Sequence, residues 1–282
     1  MFWSKTKTQD APAEGALPAA SLLSDAGCHR ELNEDSGSIV RAGNGRHGDR
    51  GLLAVVADGM GGHEAGEVAS RTAVETISRA YPLEKGTPGE ALAASFHKAH
   101  REIRRMAQAD PKMKGMGTTC TSLAITGDRA WAAHVGDSRL YLVRDGGVYQ
   151  LSEDHTQCMA MVRQGLLSIE EARKHEDRNL LQHAMGTRKE LVLMSWPEPM
   201  AVKPGDAFVL CSDGLHDLVA DTEIRDAVRG SIPEEACRKL VRMARERGGY
   251  DDITVAVVFI PGGRVPAGAG TLQETRQYEV HG

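Results

Sequence analysis

Leu52-Leu53-Ala54-Val55-Val56-Ala57-Asp58-Gly59-Met60-Gly61-Gly62-His63 begins as an unbroken apolar run and ends in a carboxylate set among glycines. An apolar run of this length, rich in β-branched residues and bounded by glycine and polar residues, reads as a buried strand. Two further stretches share the pattern. Ala207-Phe208-Val209-Leu210 leads into Cys211-Ser212-Asp213-Gly214, and Tyr250-Asp251-Asp252 precedes the run from Ile253 to Phe259. Carboxylates are thus expected at strand ends, on a rigid scaffold. Carboxylates that converge without basic partners repel one another, and a divalent cation is the usual remedy. Glycine, lacking a Cβ, lets a backbone carbonyl approach such an ion.

The chain has 282 residues, 41% of them hydrophobic, which suffices for a sizeable core. Its net charge is -5 and it has no long Lys/Arg run, so a nucleic-acid footprint is not expected. Its five cysteines, Cys28, Cys120, Cys158, Cys211 and Cys237, form no CxxC pair and read as free thiols of a reducing cytosol. The opening residues lack the apolar stretch of a signal peptide, and no apolar run approaches the ~20 residues of a membrane span. A cytoplasmic protein is the expectation.

Residues 1–20 and 261–282 are without periodicity and read as a disordered leader and a flexible tail around a single domain over 21–260. Helices are predicted from Glu64 to Tyr81 and from Gly89 to Gln108; in the second, Leu92, Phe96, Ala99, Ile103 and Met106 form an apolar stripe. Gly127-Asp128 and Asp145-Gly146-Gly147 signal two hairpins, one after the other. Strands follow near Leu191 to Trp196 and at Ala207 to Leu210. Helices come next at Asp221 to Arg229 and Pro233 to Arg247, then a strand from Ile253. Runs of hairpins with runs of helices suggest antiparallel sheet covered by helices. Asp154 to Gly186 is polar, with short helical patterns at Cys158 to Arg163 and Ile169 to His175. It reads as a flap, at about 155–186, or as an ordinary connecting loop. Trp131 and Trp196, among apolar neighbours, are expected in the core; His97, His100 and Glu102 suggest a metal patch, but their spacing is poor for one and a solvated helix face is the expectation.

Arg30-Glu31-Leu32-Asn33-Glu34-Asp35 sets an arginine ahead of two acidic residues. It reads as a solvated charged turn or, functionally, as Arg30 gripping a phosphate dianion while Glu34 and Asp35 accept hydrogen bonds from metal-bound water. Asp58 with the Gly59 carbonyl, Asp137 in Gly136-Asp137-Ser138-Arg139, Asp213, and the Asp251-Asp252 pair complete the candidates. Any one Asp-Gly is ordinarily a tight turn. Five such elements at strand ends, all with oxygen donors, favour Mg²⁺ or Mn²⁺.

The ordered set is more specific than its parts. Arg30-x-x-Asn33-Glu34-Asp35, Asp58-Gly59-Met60-Gly61-Gly62, Met116-Gly117-Thr118-Thr119, Gly136-Asp137-Ser138-Arg139, Ser212-Asp213-Gly214-Leu215 and Asp251-Asp252-Ile253-Thr254 resemble the metal-dependent serine/threonine protein phosphatases (the PP2C, or PPM, family). Glu153-Asp154-His155-Thr156 and His183-Ala184-Met185-Gly186 resemble the edges of that family's flap, and the compact loops look like its bacterial branch. The resemblance implies an α+β fold: a four-layer αββα sandwich of two antiparallel β-sheets flanked by helices.

It further implies a centre of two Mn²⁺ or Mg²⁺ ions. Asp58 resembles the bridging ligand, helped by the Gly59 carbonyl. Asp213 and Asp251 resemble ligands of one metal, Glu34 reaches the other through water, and Asp137 with Asp213 resembles a third-metal site. Arg30 resembles the phosphate-binding arginine. The implied reaction is direct attack of metal-bridged hydroxide on the phosphorus of phosphoserine or phosphothreonine, reversing a Ser/Thr kinase on phosphorylated proteins, with a monomer as the default. Two positions depart from the pattern. Asp252 stands where the family usually has asparagine, and its carboxylate either alters metal affinity or faces solvent. Met60 replaces the histidine of animal relatives, leaving His63 as a nearby proton donor, helix cap or surface residue. A catalytically silent phosphopeptide-binding domain and a two-metal hydrolase of nucleotides are the alternatives; no GxxxxGK[ST] loop supports the latter.

Overall fold

The computed structural model describes residues 17–45, 48–61 and 65–262. Among the described residues twelve strands run in chain order: β1 (Ala19–Asp25), β2 (Asp35–Gly45), β3 (Gly48–Met60), β4 (Gly117–Thr118), β5 (Cys120–Thr126), β6 (Arg129–Val135), β7 (Arg139–Arg144), β8 (Gly147–Gln150), β9 (Met194–Ser195), β10 (Met200–Ala201), β11 (Ala207–Cys211) and β12 (Ile253–Phe259). The α-helices are α1 (Ala65–Ala80), α2 (Pro88–Ala109), α3 (Gln157–Arg163), α4 (Ile169–Lys174), α5 (Asp213–His216), α6 (Asp221–Val228) and α7 (Pro233–Glu246). No helix among the described residues is long and apolar enough to cross a membrane.

The strands form two antiparallel sheets. One has the order β1-β12-β11-β7-β8, the other β10-β6-β5-β3-β2, with β4 paired to β3 and β9 to β6. Three apolar layers hold the stack together. Leu52, Ala54 and Val56 of β3 meet Phe208 and Leu210 of β11 and Ala256 and Val258 of β12 between the sheets. Leu53 and Val55 face outward, onto Ile77 of α1 and Phe96 and Ile103 of α2. Val209 of β11 and Val255 and Val257 of β12 pack against Leu240 and Val241 of α7. This is the four-layer sandwich that the resemblance implied. It also explains why the decisive stretch does not alternate: successive side chains on β3 point to opposite faces, and both faces are dry.

Local chemistry sets the elements. Thr87 caps α2 with a full capping box to Glu90, and Pro88 occupies its first turn. Asp145 (φ 52°) and Gly146 (φ 80°) make the left-handed turn between β7 and β8. Trp131 is buried as expected, and Trp196 packs partly buried against the layer between the sheets. His100 departs from expectation. It is buried, accepts the Gly186 N–H at Nδ1 (3.1 Å), and so ties α2 to the end of the flap; His97 is exposed as read. The strand near Leu191 to Trp196 shrinks to the two residues of β9. β1 starts at Ala19, inside the stretch read as leader, and residues 1–16 and 263–282 lie outside the described set.

Candidate active site

The pleat delivers the carboxylates. Leu52, Ala54 and Val56 face the layer between the sheets, and the same face next receives Asp58. Asp35 of β2 sits directly opposite Asp58 in the register. On the other sheet Phe208 and Leu210 are followed by Ser212, while Val258, Ala256 and Thr254 lead back to Asp252. Polar groups from both sheets therefore meet at one end of the apolar layer. Ser212 Oγ donates to Asp35 Oδ2 (2.7 Å), and Thr254 N–H donates to Ser212 Oγ (2.9 Å), so the contact crosses between the sheets.

Backbone contacts fix each position. Asp58 N–H donates to Thr119 Oγ1 (2.9 Å), Thr119 N–H returns a bond to the Asp58 carbonyl (2.8 Å), and Thr119 Oγ1 bonds Ser138 Oγ (2.6 Å). Gly59 N–H donates to the Glu34 carbonyl (3.1 Å). A Cβ at Gly59 would overlap that carbonyl and the Gly66 carbonyl, so no other residue fits there. Asp213 opens α5 and lies within hydrogen-bonding reach of Asp58. Asp137 is buried beside Asp213 and Asp154, and its carbonyl accepts from His216 Nε2 (3.0 Å).

Arg30 occupies the rim. Its Nη1 donates to Glu34 Oε2 (3.1 Å) and its Nη2 pairs closely with Asp251. The structure thus makes Arg30 the counter-ion of Glu34 and Asp251, a pairing that the sequence reading did not include. Of the Asp251-Asp252 pair, the outer member is Asp251, whose side chain is 38% exposed. Asp252 is 3% exposed and its Oδ2 accepts the Glu34 N–H (2.8 Å), which rules out the solvent-facing alternative for it. Met60 closes β3 half-buried. His63 lies outside the described residues.

The electrostatics are those of acids crowded together out of water. Burial, and then the neighbouring carboxylates, hold Asp35 and Asp58 well above the usual aspartate range, and burial with Asp213 does the same to Asp137. Asp213 is raised for the same leading reason, and burial pushes Asp252 to about 6. Burial also raises Glu34, against the pull of Arg30. Among the described residues, Glu34 Oε1, Asp35 Oδ1, Asp213 Oδ1 and Asp252 Oδ1 are buried and accept no hydrogen bond. No three acidic, histidine or cysteine side chains among those residues converge in ready-made ligand geometry, and Arg30 pairs with two of the acids instead. The donor chemistry nevertheless fits a hard divalent cation: every donor is oxygen, the charge is negative, and four oxygens lack a partner.

Comparison with known proteins agrees with the geometry. Residues 31–246 match the family model described as protein phosphatase 2C. The chain belongs to the protein phosphatase 2C family. It is 38% identical over 243 residues to the serine/threonine protein phosphatase PstP of Mycobacterium tuberculosis, covering 84% of this chain but 44% of that protein. The chain thus spans under half the length of this relative. It is 36% identical over 246 residues to protein phosphatase PhpP of Streptococcus pneumoniae, covering 84% of this chain and 96% of that one. Among solved structures, the catalytic domain of PstP in complex with two manganese ions superposes with a TM-score of 0.74 at 33% identity, covering 87% of this chain and 99% of that one.

The segment over 155–186 is anchored on both sides. Thr118 and Met185 form a reciprocal backbone bridge next to Asp58, and Gln182 N–H donates to the His155 carbonyl (2.7 Å). Arg178 and Asn179 reach across to Asp217 Oδ2 (3.2 and 3.1 Å). His155 packs between His134 and His183, and burial lowers the first two to about 4. Sequence reading passed over Ser212, Thr119, Ser138 and Asp154 as functional supports. Counting the pleat two residues onward from Leu210 would have found Ser212.

Proposed function

We propose that the chain is a metal-dependent protein serine/threonine phosphatase, hydrolysing phosphoserine and phosphothreonine on proteins modified by a cognate Ser/Thr kinase. The observation that carries this reading is the group of buried and half-buried carboxylates drawn from both sheets, with four unpartnered oxygens among the described residues and Arg30 at the rim. The site would take two Mn²⁺ or Mg²⁺ ions, with Asp137 available to a third. Asp58, the Gly59 carbonyl, Asp213 and Asp251 would hold the pair, while Glu34 and Asp35 would orient water around it. When bound, the cations supply a water of lowered pKa and positive charge opposite the phosphate oxygens.

The chain's own residues do the rest. Arg30, with its planar fork of donors, grips the phosphate dianion and opposes charge on its equatorial oxygens. Thr119, through Ser138, and Ser212 hold Asp58 and Asp35 on the rigid strand ends, which keeps the site preorganised. Displacement at phosphorus is direct and in line with the leaving serine or threonine oxygen, without a phosphoenzyme. The reading extends to a cytoplasmic monomer, and the five unpaired cysteines support that compartment.

The test is hydrolysis of a phosphothreonine peptide with added Mn²⁺, with and without EDTA, beside Asp58→Asn. Turnover that requires metal and vanishes in the variant is the expected result. Near-wild-type turnover by a folded Asp58→Asn protein of normal metal content would overturn it.

A further inference from the structure

Asp252 is the least explained acid of the site. It lies on the face of β12 that continues through Thr254, Ala256 and Val258 into the layer between the sheets, and it is buried. One oxygen is committed: Oδ2 accepts the Glu34 N–H at 2.8 Å. The other, Oδ1, is buried and accepts nothing; the same holds for Oδ1 of Asp35, on which the Asp252 charge bears. The nearest cation is already engaged, because Arg30 is on Glu34 and Asp251. The Asp252 carbonyl abuts Gly214 so closely that a Cβ there would overlap it, which fixes the residue's backbone against α5.

An amide at this position would satisfy the same ledger without help. Its oxygen would take the Glu34 N–H, and its nitrogen would donate to a neighbouring carboxylate. A carboxylate keeps the Glu34 contact but adds a negative charge that Arg30, ion-paired to Glu34 and Asp251, offsets only in part. Burying such a charge unpaired is costly, and a bound cation recovers the cost.

We propose that Asp252 is a cation-holding residue of this site. Its carboxylate positions the Glu34 backbone and supplies a further charge that tightens divalent-cation binding at the Glu34–Asp35 edge. This rests on the reading that the carboxylate group holds divalent cations, and it adds a residue that reading does not use. The role is that of a holding and positioning group, with no part in the displacement itself.

The experiment is Mn²⁺ binding, by calorimetry, to the metal-stripped full chain as wild type, Asp252→Asn, Asp252→Glu and Asp58→Asn. Circular dichroism and melting temperature are followed in the same samples. Asp252→Asn is expected to fold, to melt no lower than wild type without metal, and to bind Mn²⁺ about 10-fold more weakly or worse, as loss of one nearby charge predicts. Asp252→Glu, which keeps the charge, is expected to fall between the two. Affinity of Asp252→Asn within about two-fold of wild type would overturn the proposal. So would a failure of that variant to fold, since the carboxylate would then be structural. Asp58→Asn separates the two layers of argument: wild-type Mn²⁺ affinity in that variant would overturn the cation-centre reading itself, whatever Asp252→Asn shows.

Discussion

The two ends of β11 carry an aspartate each, buried at one end and half-buried at the other, and treat it in opposite ways. At the entrance, Asp206 is 2% exposed and fully paired: Arg144 donates to both of its oxygens (2.8 and 2.6 Å), and Lys203 N–H adds a third bond (2.7 Å). At the exit, Asp213 meets Asp58 and Asp137, and its Oδ1 has no partner. Asp154, close to the second end, is again satisfied, by three contacts from Arg139 and one from Gln150. Burial of an acid therefore does not mark a functional site. What marks it is burial without a protein cation, repeated on several strands and aimed at one place.

The comparison yields predictions of graded size. The largest concerns the exit: Asp213→Asn should fold and, if Asp213 is the metal ligand proposed above, should lose turnover on a phosphothreonine peptide by about three orders of magnitude or more. Wild-type turnover in that variant would erase the distinction between the two ends. At the entrance, Asp206→Ala should leave the half-buried Arg144 without its carboxylate and cost about 2 kcal/mol in urea denaturation, while turnover per folded molecule stays unchanged. A stability loss in Asp213→Asn as large as that in Asp206→Ala would break the contrast from the other side.

A smaller effect sharpens it through pH. Burial holds His134 at about 4 in the fold against 6.5 for an ordinary histidine. The unfolded chain therefore takes up a proton that the fold refuses, and stability is lost as pH falls from 6.5 towards 4. Wild type should lose about 2 kcal/mol more than His134→Gln on moving from pH 7 to pH 5. Parallel pH profiles for the two proteins would contradict this. The smallest effect lies on the surface. Arg238 and Glu234 pair on the exposed side of α7, and Glu234→Ala should change stability by no more than about 0.5 kcal/mol.

How much of this the sequence disclosed follows from where the water is. β3, β11 and β12 are dry on both faces, so each appears as a continuous apolar run. The turns at Gly127 and Asp145-Gly146 carry positive φ and announced their hairpins. β1 and β2 escaped notice because they are the edge strands of their sheets. Asp35-Ser36-Gly37-Ser38 shows little apolar signal, since its partners supply the burial. Within the site, the strand-end aspartates were legible through their glycines. Asp252 was left undecided, because adjacent carboxylates look alike in sequence and only the pleat of β12 tells which one turns inward. His100 was misjudged for a similar reason. A polar helix residue looks solvated until the flap is laid over it.

The pairing of β1 with β12, from Ala19 opposite Phe259 to Asp25 opposite Ile253, bears on how the molecule is made. One edge of a sheet is the earliest described strand to leave the ribosome, and its neighbour is the latest. Until β12 emerges, β1 has no partner, β11 lacks one of its two, and Asp251 and Asp252 are missing from the cluster. The other sheet, whose strands all come from earlier in the chain, can collapse onto α1 and α2 first. The protein is thus expected to have no partially active nascent form. A chain halted at Gly249 should be protease-sensitive and without turnover, and activity should appear in one step once β12 has emerged.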